Sequence, residues 1–507
     1  LFNASLNNAI GTNWIAPLNQ VTPQPVQGVI LGTPGIYPAP VVSNPNPTVV
    51  FTGNRLNTTE SAGTINIPVT LNNGNFFGSS VDVTILSMST AIQPSDYTVV
   101  GSLTLTWPAQ SNGVAQQISF SINNDLLPED AEYIIIRLQN PVNVTLPGAN
   151  HFSIFITDND KVADVATEAI TLNYVSSFSN GPAGPNSAEI VSYDAISKRL
   201  FIANSLGAKM DIVDFTNPAT PVLLSSISMT PYGNINSVAV KNGIVAVAME
   251  NSNPQLNGSV VFFDQNGTYV NQVAVGALPD MLTFNNSGTR IITANEGEPN
   301  TDYTNDPLGS ISIIDISGGV AALTAANVTT LDFTAYNGQM SSLKEAGVRI
   351  FGLNASVAQD MEPEFVTVSN DDTKAWVSCQ ENNALVEINL LTNTITSIVP
   401  LGTKDYSLPG NAMDASDQGG VIQIANWPVK SFYMPDAIAS YVVGGNTYIV
   451  TANEGDAREY NAYSEVNRLS SSAYPLDATA FPNADVIKAN LGRLNITMAN
   501  GDTDNDG

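Results

Sequence analysis

The chain has 507 residues, of which 45 are acidic and 17 basic, and its formal net charge is −28. This length predicts about two to four domains, and the charge disfavours binding to nucleic-acid phosphates while favouring cations. One cysteine and one histidine exclude an internal disulfide and a Cys/His zinc site, and no apolar run is long enough to predict a membrane span. Solubility in a salty medium remains the alternative reason for the charge.

The first 54 residues contain no charged side chain, and eight prolines lie between Pro17 and Pro47. Such a segment either lies extended along another surface or forms a flexible stalk. We assign residues 1–47 to a separate extended segment. We also expect residues 1–54 to dock on other surface or extracellular proteins.

Residues 48–162 alternate apolar and polar residues over seven short runs separated by turn residues, which predicts a β-sandwich. Its acidic turns, among them Glu60-Ser-Ala-Gly-Thr and Ile156-Thr-Asp-Asn-Asp160, resemble those of a Calx-beta domain. The resemblance implies an immunoglobulin-like sandwich that binds Ca²⁺ at one end. The ligands that it implies are Glu60, Asp96, Asp125, Glu129, Asp158 and Asp160. Asn124 and Asn159 replace acidic residues that are frequent in that family, so weak sites are expected, or none at all.

From about residue 183 onward the chain repeats a unit of four short strands, which predicts the blades of a β-propeller. The strand ends Ile202-Ala-Asn, Thr293-Ala-Asn-Glu and Thr451-Ala-Asn-Glu mark the repeat. The repeats resemble the choice-of-anchor I family, with its YVTN-like propeller. That resemblance implies a secreted or surface protein, and some members carry phosphatase-like or phytase-like names. We expect an all-β protein with a seven-bladed propeller over residues 163–507. Only about five blades are counted, so either the propeller is truncated at its C-terminus here, or residues 470–507 and the strand in the 170s supply further blade structure.

A Pro-Asp or Pro-Glu pair precedes three of these hairpins, and a glutamate follows each of them. Because the two ends of a hairpin lie at one edge of a sheet, each acidic pair is predicted to lie close together. The predicted ring of metal ligands is Asp280, Glu296, Glu364, Glu381, Asp436 and Glu454. The alternatives are turn capping by the Asn-Glu-Gly segments, or catalysis.

We therefore predict a secreted, calcium-binding structural or adhesion protein of a bacterial cell surface or extracellular assembly, with Ca²⁺ as its cofactor. The alternative is a calcium-dependent phosphoesterase in the propeller, with Arg458 or Lys404 as charge partners of the phosphate. Arg458 is expected instead to pair with Asp456 or Glu459, and Cys379 to be a buried apolar residue. His151 lies in the predicted sandwich, which argues against a Ser-His-Asp triad.

Overall fold

The computed structural model describes residues 46–162, 170–181, 188, 190–418 and 420–501. The predicted docking segment up to residue 45, the propeller entry at 163–169 and the acidic tail at 502–507 lie outside the described residues. The described chain is nearly all β-structure and divides into two compact units, a sandwich unit and a propeller unit. No described helix is long and apolar enough to cross a membrane.

Two sheets form the sandwich, with strand orders β1-β3-β7-β5 and β2-β9-β8-β4-β6. The strands are β1 (Thr48–Phe51), β2 (Arg55–Thr59), β3 (Thr64–Asn72), β4 (Ser79–Ile85), β5 (Tyr97–Val100), β6 (Thr104–Trp107), β7 (Val114–Ile122), β8 (Glu132–Val142) and β9 (His151–Thr157). Alternation along the strands directs one side of each sheet into the core; in β3, Ile65, Ile67, Val69 and Leu71 are buried. All neighbouring pairs are antiparallel except β2 and β9, which are parallel.

Two later segments of the chain, Ser407–Trp427 and Pro482–Leu491, belong to the sandwich unit. The predicted domain division places both in the propeller. Trp427 stacks on Tyr133 with ring centroids 4.5 Å apart, and the Tyr133 hydroxyl donates to the Asn426 carbonyl at 3.0 Å. Arg137 contacts Asp485 in the second segment through an ion pair of 2.5 Å. Aromatic stacking and charge therefore hold both segments against the sandwich.

The described part of the propeller unit contains four complete four-stranded antiparallel sheets and a two-stranded fifth. The first two are β10 (Val191–Asp194), β11 (Arg199–Asn204), β12 (Lys209–Asp214), β13 (Val222–Ser228), and β14 (Asn234–Lys241), β15 (Ile244–Glu250), β16 (Asn257–Asp264), β17 (Tyr269–Ala277). The next two are β18 (Pro279–Phe284), β19 (Arg290–Asn295), β20 (Ser310–Asp315), β21 (Val328–Asp332), and β22 (Val366–Val368), β23 (Lys374–Cys379), β24 (Ala384–Asn389), β25 (Thr394–Pro400). The fifth is β30 (Pro435–Val443) with β31 (Asn446–Asn453). The predicted number of seven blades stays a prediction.

The remaining elements are short. They are the strand pairs β26 (Thr403–Asp405) with β29 (Lys430–Phe432), β27 (Met413–Asp414) with β28 (Ile424–Ala425), and β32 (Val466–Arg468) with β33 (Asn495–Thr497). The α-helices of the described residues are α1 (Met340–Ala346), α2 (Val357–Asp360) and α3 (Ala484–Leu491). The 3₁₀ turns in the same part of the chain are Glu60–Ala62, Val320–Ala322, Ala325–Asn327 and Thr334–Gln339.

Successive propeller sheets pack face to face through strands that are apolar on both sides. In β15, Val245, Val247 and Met249 join the core shared with the first sheet. The alternate residues Ala246 and Ala248 join the core shared with the third sheet. A strand buried on both faces reads as a continuous apolar run, as the sequence Ile-Val-Ala-Val-Ala-Met does. This packing places the first strands of consecutive sheets next to one another.

Candidate functional site

The first candidate metal centre lies at one end of the sandwich. Because β2 and β9 are parallel and Thr59 pairs with Thr157, Glu60 and Asp158 follow paired residues at the same sheet edge. Asp160 follows two residues later. One carboxylate oxygen from each of Glu60, Asp158 and Asp160 lies within 4.8 Å of the others. The strand pairing thus brings together three of the predicted ligands.

Hydrogen bonds orient this centre but leave two of its oxygens without a protein partner. Asp158 accepts from the backbone N–H of Glu129 at 2.9 Å and from that of Asp160 at 2.8 Å. Glu60 Oε2 and Asp160 Oδ2 are buried and accept no hydrogen bond. A buried carboxylate oxygen without a donor is costly, and a hard cation relieves that cost by direct coordination. The residues present therefore fit Ca²⁺.

A second acidic group lies at the same end of the sandwich. Oxygens of Asp96, Glu129 and Glu132 lie within 4.8 Å of one another. Glu132 is the ligand candidate that the sequence analysis missed, although it opens β8 in the same acidic segment as Glu129. Asp125 joins neither group; its Oδ1 accepts from the Leu127 backbone N–H at 2.7 Å. Its charge still raises the pKa of Glu60 and Glu129.

Burial and the crowding of like charges raise the pKa of two carboxyls at this end, those of Glu60 and Glu132. Burial, followed by the charge of Asp158, raises the pKa of Glu60 to about 7. Burial, followed by the charge of Asp96, raises the pKa of Glu132 to about 8. Both carboxyls are protonated at mildly acidic pH and ionise around neutrality, where a bound cation would compensate their charge.

These pKa shifts predict how stability depends on pH when metal is chelated. A carboxyl whose folded-state pKa is raised stabilises the fold while protonated, and this contribution is lost as pH rises from about 4.5 through 7–8. We expect the free energy of unfolding, measured in urea with chelator, to fall across that window. Glu60→Gln should lessen the fall, and a wild-type stability that is flat or rises with pH would contradict the prediction.

The second candidate metal centre lies where the first strands of the propeller sheets meet. Pro279 pairs with Asn295 and Met281 with Ala294, so Asp280 is the extra residue of a β-bulge in β18. A bulge redirects the side chain of its extra residue. The register of β14 shifts in the same way at Asn236. The register of β30 also shifts, just after Pro435. Both Pro-Asp pairs thus lie at a bulge in the first strand of their sheet, and β14 has the same bulge without such a pair.

Four of the predicted ring carboxylates line a cavity of about 810 Å³, and residues in or next to the strands of each of the five described propeller sheets contribute to it. Asp280, Glu296 and Glu364 have oxygens within 4.8 Å of one another. Asp436 and Glu250 line the same cavity, and its described lining contains no basic side chain. Burial and the mutual repulsion of these groups raise the pKa of Glu296 and Glu364 well above the ordinary range. Repelling, buried carboxylates of this kind favour a cation.

The other two predicted members of the ring do not line this cavity. Glu381 is buried beside this group, and its Oε2 accepts no hydrogen bond. Burial raises its pKa to about 7, although the charge of Arg458 opposes that rise. Glu454 is exposed, and its backbone N–H donates to the Met434 carbonyl at 3.3 Å. The structure therefore gathers three of the six carboxylates, with Asp436 on the same cavity.

The expectation that Arg458 pairs with Asp456 or Glu459 is wrong. Arg458 is buried and forms ion pairs with Asp360 at 2.5 Å and with Glu362 at 2.7 Å. These partners are nearly 100 residues away in sequence, at the end of α2 and just beyond it. The charged residues next to Arg458 in the sequence do not indicate these distant partners. Cys379 is fully buried, as predicted.

A second buried ion pair joins Arg349 to Glu465. The Arg349 guanidinium also lies 4.3 Å from the ring centroid of Phe351. The Arg458 guanidinium lies 4.5 Å from the same ring, so both cations contact one aromatic residue. These arginines are held in structural contacts of the propeller unit, and neither lines the acidic cavity.

A family model described as the choice-of-anchor I domain matches residues 189–507. The chain belongs to the choice-of-anchor I family. No curated protein matches the chain. The choice-of-anchor I match covers the described propeller sheets, which confirms that part of the predicted resemblance. It leaves the Calx-beta assignment of the sandwich as a prediction.

Three solved structures are similar to parts of this choice-of-anchor I protein. An apo-form Calx CBD1 domain matches 23% of this chain and 100% of its own at 21% identity, with a TM-score of 0.21. A regucalcin from Agrobacterium tumefaciens, titled a calcium-binding protein, matches 54% of this chain and 69% of its own at 12% identity, with a TM-score of 0.28. Kuenenia stuttgartiensis hydrazine synthase matches 84% of this chain and 99% of its own at 9% identity, with a TM-score of 0.31. Similarities this low carry no functional assignment.

Proposed function

We propose that this choice-of-anchor I protein is a calcium-binding structural or adhesion protein, secreted or held at a bacterial cell surface. The group of Glu60, Asp158 and Asp160 carries the proposal, because it combines three converging carboxylates with two buried oxygens that lack any donor. Ca²⁺ takes six to eight hard oxygen ligands, and carboxylates are its usual protein ligands. Bound Ca²⁺ would neutralise the repulsion at this end and so stabilise the sandwich.

Calcium addition tests this proposal through stability. At about ten to a hundred times the dissociation constant, Ca²⁺ should add about 1.4–2.7 kcal/mol to the free energy of unfolding. Thermal melts of the full chain in chelator and in Ca²⁺ would show this as an upward shift of Tm. Glu60→Gln should remove most of the shift. Asp82→Asn is the matched control, since Asp82 is a sandwich carboxylate bonded to Thr104 instead. Equal melts with and without Ca²⁺ would overturn the proposal.

The propeller cavity is a second proposed cation site. Asp280, Glu296 and Glu364 supply the converging oxygens, and Asp436 faces the same space. Burial raises the pKa of Asp436, and the Asp436 charge adds to the effect of burial on the pKa of Glu364. Glu296→Gln should reduce the number of Ca²⁺ ions bound in titration calorimetry. It should leave intact the calcium-induced rise in Tm that Glu60→Gln largely removes.

The phosphoesterase alternative lacks its predicted charge partners at this cavity. Arg458 is held by Asp360 and Glu362, and the Lys404 ammonium lies 4.9 Å from the ring centroid of Tyr406. Neither residue lines the cavity. Hydrolysis of a generic phosphomonoester that requires Ca²⁺ and is abolished by Glu296→Gln would restore this alternative.

A further inference from the structure

The acidic end of the sandwich carries exposed aliphatic side chains beside its carboxylates. Ile92 is 64% exposed, Leu126 is 83% exposed and Leu127 is 61% exposed. Ile92 lies in the turn that carries Asp96, and the two leucines lie between Asp125 and Glu129. Large apolar side chains with this exposure protrude into solvent. The protein therefore presents apolar tips on the loops that carry Asp96 and Glu129, two members of the second acidic group at this end of the sandwich.

Hydrogen bonds fix these tips relative to the carboxylates. The Ile92 backbone N–H donates to Asp96 Oδ2 at 2.5 Å. The Leu127 backbone N–H donates to Asp125 Oδ1 at 2.7 Å. The Asn123 side chain joins the two loops by donating to the Pro94 carbonyl at 2.6 Å and the Ser95 carbonyl at 2.8 Å. Exposure of the three aliphatic residues is thus part of the ordered loop structure.

The chemistry of this end suits a surface that offers both phosphate oxygens and an apolar interior. Three carboxylates fill only part of a Ca²⁺ coordination shell of six to eight oxygens, so external oxygens can complete it. Burying a leucine or isoleucine side chain fully is worth about 1.5–3 kcal/mol. A net charge of −28 would repel an anionic bilayer unless cations intervene.

We propose that this end of the sandwich docks onto an anionic phospholipid bilayer when Ca²⁺ is bound. Calcium would bridge the carboxylates to lipid phosphates, while Ile92, Leu126 and Leu127 enter the interfacial layer. A bilayer is favoured over a folded protein partner because these side chains protrude, and a fluid interface needs no matching pocket. The inference rests on the proposed calcium function.

Sedimentation of the full chain with vesicles tests the docking. The vesicles contain phosphatidylcholine with or without phosphatidylserine, in Ca²⁺ or in chelator. Wild-type protein should sediment only with phosphatidylserine and Ca²⁺. The double variant Leu126→Ser/Leu127→Ser should bind at least about tenfold more weakly while keeping the calcium-induced rise in Tm. Phe77→Ser is the control, because Phe77 is 67% exposed on the loop between β3 and β4, at the other end of the sandwich.

The outcomes separate the docking from the calcium function. A calcium-induced rise in Tm without vesicle binding would overturn the docking and leave the proposed function standing. Absence of the rise would remove the proposed function itself. Undiminished binding of the double variant, or binding in chelator, would overturn the docking mode. Calcium-dependent self-association without vesicles, seen by light scattering, would assign these tips to a protein contact and overturn it as well.

Discussion

Replacing Arg458 by methionine is expected to lower the free energy of unfolding by about 3–5 kcal/mol. The substitution leaves Asp360 and Glu362 buried without their cation, and burial already raises the pKa of Glu362 well above its usual range. Removing one partner of a buried ion pair costs more than the pair contributes, because the remaining charge has lost its solvation. Urea denaturation of the full chain, followed by tryptophan fluorescence, measures the loss.

A surface ion pair supplies the matched control. Lys374 contacts Glu387 at 3.0 Å, and both side chains are partly exposed. Lys374→Met should therefore change stability by no more than about 1 kcal/mol. Arg458→Lys keeps the charge but not the paired donors of the guanidinium, so its stability should lie between those of wild type and Arg458→Met. Equal effects of Arg458→Met and Lys374→Met would contradict the buried network.

Truncating Trp427 to alanine is expected to destabilise the sandwich unit by about 3–5 kcal/mol. Its indole is buried, stacks on Tyr133 and lies 6.1 Å from Phe155 between ring centroids. The substitution leaves a cavity against two aromatic rings, and few neighbours can move to fill it. A loss of the near-ultraviolet circular dichroism signal together with a lower Tm would show this destabilisation.

Leu408→Ala is the control for Trp427→Ala, because Leu408 lies in the same segment but is exposed. Its effect should stay within about 0.5 kcal/mol. If Trp427→Ala were equally mild, Ser407–Trp427 would contribute little to the sandwich unit.

The strands could be predicted from the sequence because their information is local. Alternation marks β3, and the apolar run ending in aspartate marks β20 at the predicted residues Ser310–Asp315. The proximity of Asp280 to Glu296 followed from hairpin geometry alone. What sequence analysis could not supply depends on distant contacts. The partners of Arg458 and the packing of Trp427 involve residues that no local pattern connects to them.

For the candidate sites too, some features could be predicted from the sequence and others depend on the folded structure. Glu60, Asp158 and Asp160 were predicted together through a family resemblance, and the parallel pairing of β2 with β9 supplies the physical reason for their proximity. Glu132 was missed because it lies within a strand, where its direction depends on the register of β8. Glu454 was assigned to the ring by repetition of a motif, yet its side chain is exposed.

The late segments of the sandwich unit affect how the protein is made. Tyr133 and Asn426 are 293 residues apart, so at about 5–20 residues per second their contact becomes available roughly 15–60 s after Tyr133 is synthesised. Until then the nascent chain exposes the aromatic surface that Trp427 later covers. Translation speed and chaperone access during that interval should therefore influence the yield of native protein more strongly than for a sandwich with continuous sequence.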